Sequence, residues 1–464
     1  MADEKKSERR EKLFYNQKNG YALIDTDERE KLEAYSKGYI EFLNRAKTER
    51  LAVEAAVEIA KTEGYVAYEP GMAVTPGAKF YHINRGKALL LAHIGNEPLS
   101  KGAVIGAAHV DSPRIDLKQV PMYEDSELSF FKTHYYGGIK KYQWLAIPLE
   151  LHGVVALRDG SLVNIALGSE PDDPVLVITD LLPHLAADQY KKTLGEAIAG
   201  EGLNVLIGSV PDAEEGSDKV KLAVLSILNE RYGITEEDFL SAELTVIPAL
   251  PTREVGVDRS LIGGYGHDDR SCAYAEMRAI FDLPKTPART AVCILADKEE
   301  IGSEGVTGMK SQAFEWFMDE LCSAQDVKLR DCFAKSLCIS ADVCNAFDPN
   351  YPEVSEKRNN AKINYGVGIV KYTGSRGKAG SNDASAETIG YLRRVFAENG
   401  VVWQSGELGK VDQGGGGTVA MFMAQRNIET IDAGVPVLSM HAPWEIVSKF
   451  DCYMTYKALL SVFS

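Results

Sequence analysis

The chain predicts an α/β fold: a three-layer α/β/α arrangement around a mixed central sheet, interrupted by a β-rich insertion. Three observations carry this expectation. In the first quarter and the second half, short apolar runs alternate with amphipathic segments, the pattern of strands and helices layered around one core. From about 114 to 252 the pattern becomes short β-branched and aromatic runs divided by turn residues. No internal repeat or low-complexity tract breaks this division. The economical reading places 1–113 and 253–464 in one unit that shares a sheet, and 114–252 in the insertion.

Taken in order, residues 1–68 read as helical. EREKLEAYSKGYIEFLNRAKTERLAVEAAVEIAKTEG has apolar residues at three- and four-residue spacing and ends on glycine. FYHINRGKALLLAHIG reads as two strands joined at Asn84–Gly86, and AVIGAAHVDSP as a buried strand closed by Pro113. IDLKQVPMYEDSELSFFKTHYYGGIKKYQWLAIPLELHGVVAL opens the β-rich unit. The charged segment PDAEEGSDKVK and a helix over KLAVLSILNERYG lie later in it. Beyond ALPTREVGVDRSLIGGYG the alternation returns. SCAYAEMRAIFD, SQAFEWFMDELCS and ASAETIGYLRRVFAENG read as helices; TAVCILAD, SLCISADV and IDAGVPVLSMHAP read as strands.

At 464 residues the length suits roughly three domains, or one large domain with an insertion. Hydrophobic residues at 45% and charged residues at 25% exclude a disordered chain or a fibre. The net charge of −16 argues against broad binding to a phosphate backbone, so nucleic acid is not an expected partner. No apolar run approaches the roughly 18–20 residues that span a bilayer, and MADEKKSERREKLF lacks the apolar stretch of a secretory leader. The seven cysteines, an odd number with no CxxC spacing, read as reduced and mostly buried thiols of a cytoplasmic protein. Six of them lie between Cys272 and Cys344, but their spacing matches no familiar zinc module.

Chemistry collects where apolar strands end. AVIGAA runs into His109, with Asp111 two residues on. TAVCILAD leads to Glu299 and Glu300, SLCISA to Asp342, and VLSM to His441. Asp268 and Asp269 follow the glycine-rich GGYG and precede a helix. Singly, each has an ordinary explanation as a helix cap, a turn residue, a solvated face or a structural histidine. Jointly they would crowd negative charge into the crevice at the carboxyl ends of the strands, where open α/β sheets bind ligands. Buried carboxylates need cations or strong hydrogen bonds. Mixed histidine and carboxylate ligation suits zinc, manganese or cobalt. A two-metal site needs one carboxylate to bridge the ions and a free one to take a proton from water. The adjacent pair Glu299–Glu300 fits such a division, because neighbouring side chains diverge.

AAHVDSPRID, KEEIGSEG, SADV, GGGGTV and VLSMHAP, in this order, resemble the aspartyl aminopeptidase family of zinc metallopeptidases, in a bacterial-type form. The resemblance spans nearly the whole chain. HxDSP, EEIGS and SMH are its specific motifs, and the glycine runs are weak by themselves. It implies removal of one N-terminal residue from short peptides at two co-catalytic divalent ions, most often Zn2+, with Co2+ or Mn2+ as alternatives. His109, Glu300, Asp342 and His441 would ligate metal, and Asp268 would bridge, with Asp269 the alternative. Asp111 would hold the His109 imidazole, and Glu299 would be the general base. The resemblance also implies a β-rich dimerisation domain and assembly of dimers into a tetrahedral homododecamer.

Two further matches concern substrate. LLPHLA resembles a family segment whose histidine reaches a neighbouring subunit's site, which would make His184 a contributor in trans; a helix-capping role is the alternative. Lys371, in GIVKYTG, lies where the family places a lysine beside the substrate's first side chain; a solvated lysine is the alternative. Gly416, within Gly414–Gly417, could bring backbone amides close to substrate, or belong to a surface turn. Two departures stand out. The bridging aspartate sits in GHDDR rather than the RLDN of eukaryotic members, and TGSRGKAGSNDA replaces an NQRYA-like segment, adding Arg376 and Lys378. The activity that the resemblance implies is an aminopeptidase of acidic preference. Neutral (Leu/Met-type) specificity, another two-metal amidase and a non-catalytic assembly protein are the alternatives.

Overall fold

The structure, a computed structural model, describes residues 9, 10, 12–170, 172–374 and 376–464. Among them the strands form three sheets. The largest has nine strands, in the order Val66–Ala67, Lys79–Asn84, Ala88–His93, Ala291–Ala296, Val104–His109, Leu337–Ser340, Glu429–Gly434, Val367–Val370 and Trp403–Ser405. Its middle four strands are parallel, and antiparallel neighbours flank them, so the sheet is mixed. Strands on both sides of 114–252 in sequence build it.

The middle strands read as unbroken apolar runs because both of their faces are covered. Leu89, Leu91, Val104, Ala108, Cys293 and Leu295 face a core shared with the helices Thr26–Arg45, Glu49–Thr62, His267–Phe281 and Lys449–Phe463. The alternate residues Leu90, Ile105, Ala107, Val292 and Ile294 face a second core with the helices Ala313–Ser323, Leu329–Phe333 and Ala420–Gln425. This is the expected α/β/α layering. All seven cysteines are buried free thiols, also as expected.

Between Arg114 and Pro248 the chain forms a seven-stranded antiparallel sheet around its own core, which includes Phe131, Trp144 and Phe239. The helix Lys219–Tyr232 lies against it. A third sheet of five short strands takes Arg253–Val255, Leu261–Gly264, Cys344–Asn345, Pro436–Leu438 and Glu445–Ser448. No helix among the described residues is long and apolar enough to cross a membrane.

Two expectations needed adjustment, and one helix was not foreseen. The helical reading of 1–68 resolves into two main helices. Asp25 caps the first by accepting from the Glu28 amide at 2.9 Å, and Thr48 caps the second by accepting from Leu51. Residues 1–8 of that stretch lie outside the described residues. IDAGVPVLSM is two strands, because the chain leaves the nine-stranded sheet after Gly434 and joins the five-stranded one at Pro436. The long C-terminal helix Lys449–Phe463 has so little polar face that its periodicity is weak; it packs on His267–Phe281 with most of its residues buried.

Gly434 shows how tightly the strand ends are set. A β-carbon there would come within 1.8 Å of the Asp342 carbonyl oxygen. Gly434→Ala is therefore expected to cost about 1–3 kcal/mol through overpacking. Thermal unfolding checks this, and an unchanged midpoint would contradict the close approach.

Candidate active site

The parallel strands deliver the site residues to one edge of the sheet. Ala296 is paired in register with His109, so Glu299 and Glu300 emerge beside the histidine. Asp342 follows Ser340 on the next strand, and Asp268 lies at the start of the helix His267–Phe281, which packs on the face of the sheet. His441 arrives from the turn after Pro436–Leu438 in the five-stranded sheet. The result is a compact cluster. His109 Nε2 lies 3.2 Å from Asp268 Oδ1, 3.8 Å from Glu299 and 4.0 Å from Asp342. His441 Nε2 lies 3.2 Å from the other oxygen of Asp268 and 3.5 Å from Glu300.

The ring nitrogens are sorted by their backbone partners. His109 Nδ1 donates to the Asp111 carbonyl at 2.9 Å, and His441 Nδ1 donates to the Gly138 carbonyl at 2.7 Å. A carbonyl only accepts, so in each ring Nδ1 carries a proton and Nε2 faces carboxylate oxygens. Ligand atoms around a tetrahedral ion with bonds of about 2.0–2.1 Å stand roughly 3.3 Å apart, close to the two 3.2 Å separations. Asp268 belongs to two candidate ligand groups, one with His109 and Asp342 and one with Glu300 and His441; a third joins His109, Glu299 and Glu300. The donor set therefore fits divalent metal, and no cysteine takes part among the described residues.

The electrostatics agree with that fit. Burial pushes Glu299 up to about 7, with Asp268 and Asp111 adding to the rise and His109 opposing it. Burial, then the charge of Asp268, raises Glu300; burial, then Asp269, raises Asp342. Asp268 is also buried, yet hydrogen bonding to His109 and His441 holds it below the usual carboxylate range. His441 rises to about 10 despite its burial, because Asp268 and Glu300 favour its charged form. Such an excess of carboxylates is what bound cations neutralise.

Asp268 and Asp269 are separated by role. The Asp269 carboxylate points back to accept from the His109 amide at 3.3 Å, leaving Asp268 between the two imidazoles. Asp111 accepts from the amides of Glu299 and Glu300 at 3.1 and 3.2 Å and from the Tyr136 hydroxyl at 2.8 Å. Its carboxylate is 3.4 Å from His109 Nδ1, so carbonyl and carboxylate both hold the ring. Glu445 accepts from the amides of Asp268 and His441 at 3.0 and 2.7 Å and joins the two elements.

A cavity of about 640 Å³ opens over the cluster, lined by Asp268, Glu299, Glu300, Asp342 and His441. Gly416 lines it, and its carbonyl accepts from the Gly374 amide. Arg376 and Lys378 line it as well. Lys371 is not among the lining residues; its amine pairs with Asp383 at 2.5 Å, and Lys378 pairs with the same carboxylate at 3.1 Å. His184 sits in a short exposed helical turn of the seven-stranded unit and is likewise not among the lining residues. Sequence reasoning missed Tyr136, Gly138, Glu445 and Asp432. Asp432 is buried at the cavity wall and accepts from the Ser340 and Thr418 hydroxyls, each at 2.7 Å. Tyr136 and Gly138 lie in the seven-stranded unit, where no local pattern points to the site; Asp432 lies within the strand Glu429–Gly434 rather than beyond a strand end, where the recognised acids sit.

The family model "Aminopeptidase I zinc metalloprotease (M18)" matches residues 42–463. A relative from Clostridium acetobutylicum, "Probable M18 family aminopeptidase 1", is 47% identical over 97% of this chain and 99% of its own length. The crystal structure of an M18 family aminopeptidase from Thermotoga maritima superposes with a TM-score of 0.92, at 44% identity over 97% of this chain and all of that one. The mApe1 dodecamer structure from S. cerevisiae, 21% identical, shares the fold with a TM-score of 0.75 over 92% of this chain and 95% of that one. With a metal-type donor set at its strand ends and this likeness over nearly its full length, the chain belongs to the M18 family and is a zinc metallo-aminopeptidase, a hydrolase of peptide bonds.

Proposed function

We propose that the chain removes acidic N-terminal residues from short peptides at a site holding two divalent ions. The observation that supports this most is Asp268, with one oxygen toward each of two oppositely placed imidazoles. His109 and Asp342 would hold one ion with Asp268, and Glu300 and His441 the other. When bound, the ions would polarise the scissile carbonyl and acidify water, as two-metal sites do.

The remaining work falls to side chains. Glu299 lines the cavity, and its burial favours its taking up a proton, which suits taking one from water and passing it to the leaving amine. Asp111 keeps His109 oriented and, through the Glu299 and Glu300 amides, fixes the turn that carries the base. Arg376 and Lys378 on the cavity wall, where Lys310 and Lys410 also lie, are the cations we assign to an acidic first side chain, with Lys371 sharing Asp383 with Lys378. A second reading, neutral specificity, draws on Val343, Leu408, Met421, Phe422 and Met440, which line the same cavity.

In this reading 1–113 and 253–464 form the catalytic unit, and 114–252 the dimerisation unit of a tetrahedral homododecamer in the cytoplasm. Leu181, Leu182, Leu185 and Tyr190, exposed around His184, are apolar surface for a second copy to cover. The dodecamer seen for the yeast relative supports the same assembly.

A panel of aminoacyl-p-nitroanilides on metal-stripped protein, repeated with Zn2+, Co2+ or Mn2+ restored, tests the whole reading. Metal-dependent release led by Asp or Glu is expected. Release led by Leu or Met would overturn the specificity, and activity surviving N-terminal acetylation would overturn aminopeptidase action. Glu299→Gln should keep its metal and lose about 10²–10⁴-fold in kcat; retained turnover would remove it as the base. Asp268→Asn should lose metal at both positions, whereas Asp269→Asn should keep it, as read by elemental analysis after dialysis; the reverse pattern would reassign the bridge.

A further inference from the structure

The seven-stranded unit touches both halves of the metal cluster through three consecutive residues. The strand Leu128–Tyr136 ends at Tyr136, whose hydroxyl donates to Asp111 at 2.8 Å on the His109 side. Two residues later the Gly138 carbonyl accepts from His441 Nδ1 at 2.7 Å on the other side. Gly137, at φ +73°, lets the chain turn between them. A β-carbon there would come within 3.3 Å of both the Glu300 β-carbon and Pro113, and one on Gly138 within 3.3 Å of His441 Nδ1. The turn is thus seated directly against one ligand of each kind.

We infer that Tyr136–Gly138 is a positioning element for both metal-binding imidazoles, so that the seven-stranded unit sets the geometry of the metal pair. The inference rests on the two-metal reading above. Two observations support it independently of the hydrogen bonds. The Arg114 guanidinium stacks 3.9 Å from the Tyr136 ring centre and is itself held by Asp116 at 2.8 Å and Glu49 at 3.3 Å, so the ring is fixed from behind. Arg114 and Tyr136 are also paired residues on adjacent strands, which sets the height of the hydroxyl relative to Asp111. The hydroxyl stays protonated as the donor, because burial and the Asp111 charge both push its ionisation up.

The chemistry follows from the acceptors. Asp111 receives two amides, the Tyr136 hydroxyl and contact with His109, and loses its one side-chain hydroxyl donor in Tyr136→Phe. A freed carboxylate oxygen lets Asp111, and with it the imidazole, rotate. His441 has no carboxylate behind its Nδ1; the Gly138 carbonyl plays that part.

The test uses full-length protein and Co2+ as the probe, with affinity measured by chelator competition and geometry by the visible spectrum of the bound ion. Tyr136→Phe is expected to weaken Co2+ binding about 10- to 100-fold, shift that spectrum, and lower kcat with KM kept, while the metal-free protein unfolds as wild type does. Wild-type affinity and spectrum, or a loss of stability with the spectrum unchanged, would overturn the inference. If Tyr136→Phe fails to fold, Gly138→Ala is read the same way on the His441 side, with the same outcomes for and against. Co2+ binding left at the wild-type level by His109→Ala and by His441→Ala would overturn the metal reading itself, and this inference with it.

Discussion

One carboxylate shared between two imidazoles organises this molecule. Asp268 presents an oxygen 3.2 Å from each ring, and each ring is pinned from behind by a backbone carbonyl. That arrangement needs three separately built elements to arrive within a few ångströms: the strand that ends at His109, the helix that opens at Asp268, and the turn that carries His441. Glu445 accepts an amide from each of the latter two, and Asp111 binds the third to the turn of Glu299 and Glu300. The burial that makes the acids resist ionisation is also what makes the cluster a strong cation site.

Much of this was legible in the residues. Strands with both faces covered have to be apolar throughout, and the change to polar residues at His109, Glu299 and Asp342 marks where each strand leaves the core. Asp268 was harder to separate from Asp269, since adjacency says nothing about direction; the hydrogen bond from the His109 amide to Asp269 divides them. Lys371 was placed near substrate by the resemblance of GIVKYTG alone; in the fold its amine pairs with Asp383, twelve residues away. The break between Gly434 and Pro436 was invisible because the two strands follow each other almost without a turn and are both largely buried, differing in the sheet they join.

What local pattern could not reach was contact across the two sheets. Tyr136 and Gly138 look like an ordinary strand end and glycine turn. Their partners, Asp111 and His441, are 25 and 303 residues distant. Glu445 is similar: a carboxylate near a tryptophan carries no signal until the helix at Asp268 is laid beside it.

The cavity itself bears on which polypeptides can be trimmed. At about 640 Å³ it has the size of a small-molecule pocket, and the glycine-rich segment at Gly414–Gly417 forms part of its wall. Under the proposed reading, a cavity of that size suits a single extended chain end better than a helix about 10–12 Å across. Under that reading, selectivity between intact proteins and their fragments would come from the size of this cavity, ahead of any preference for a side chain.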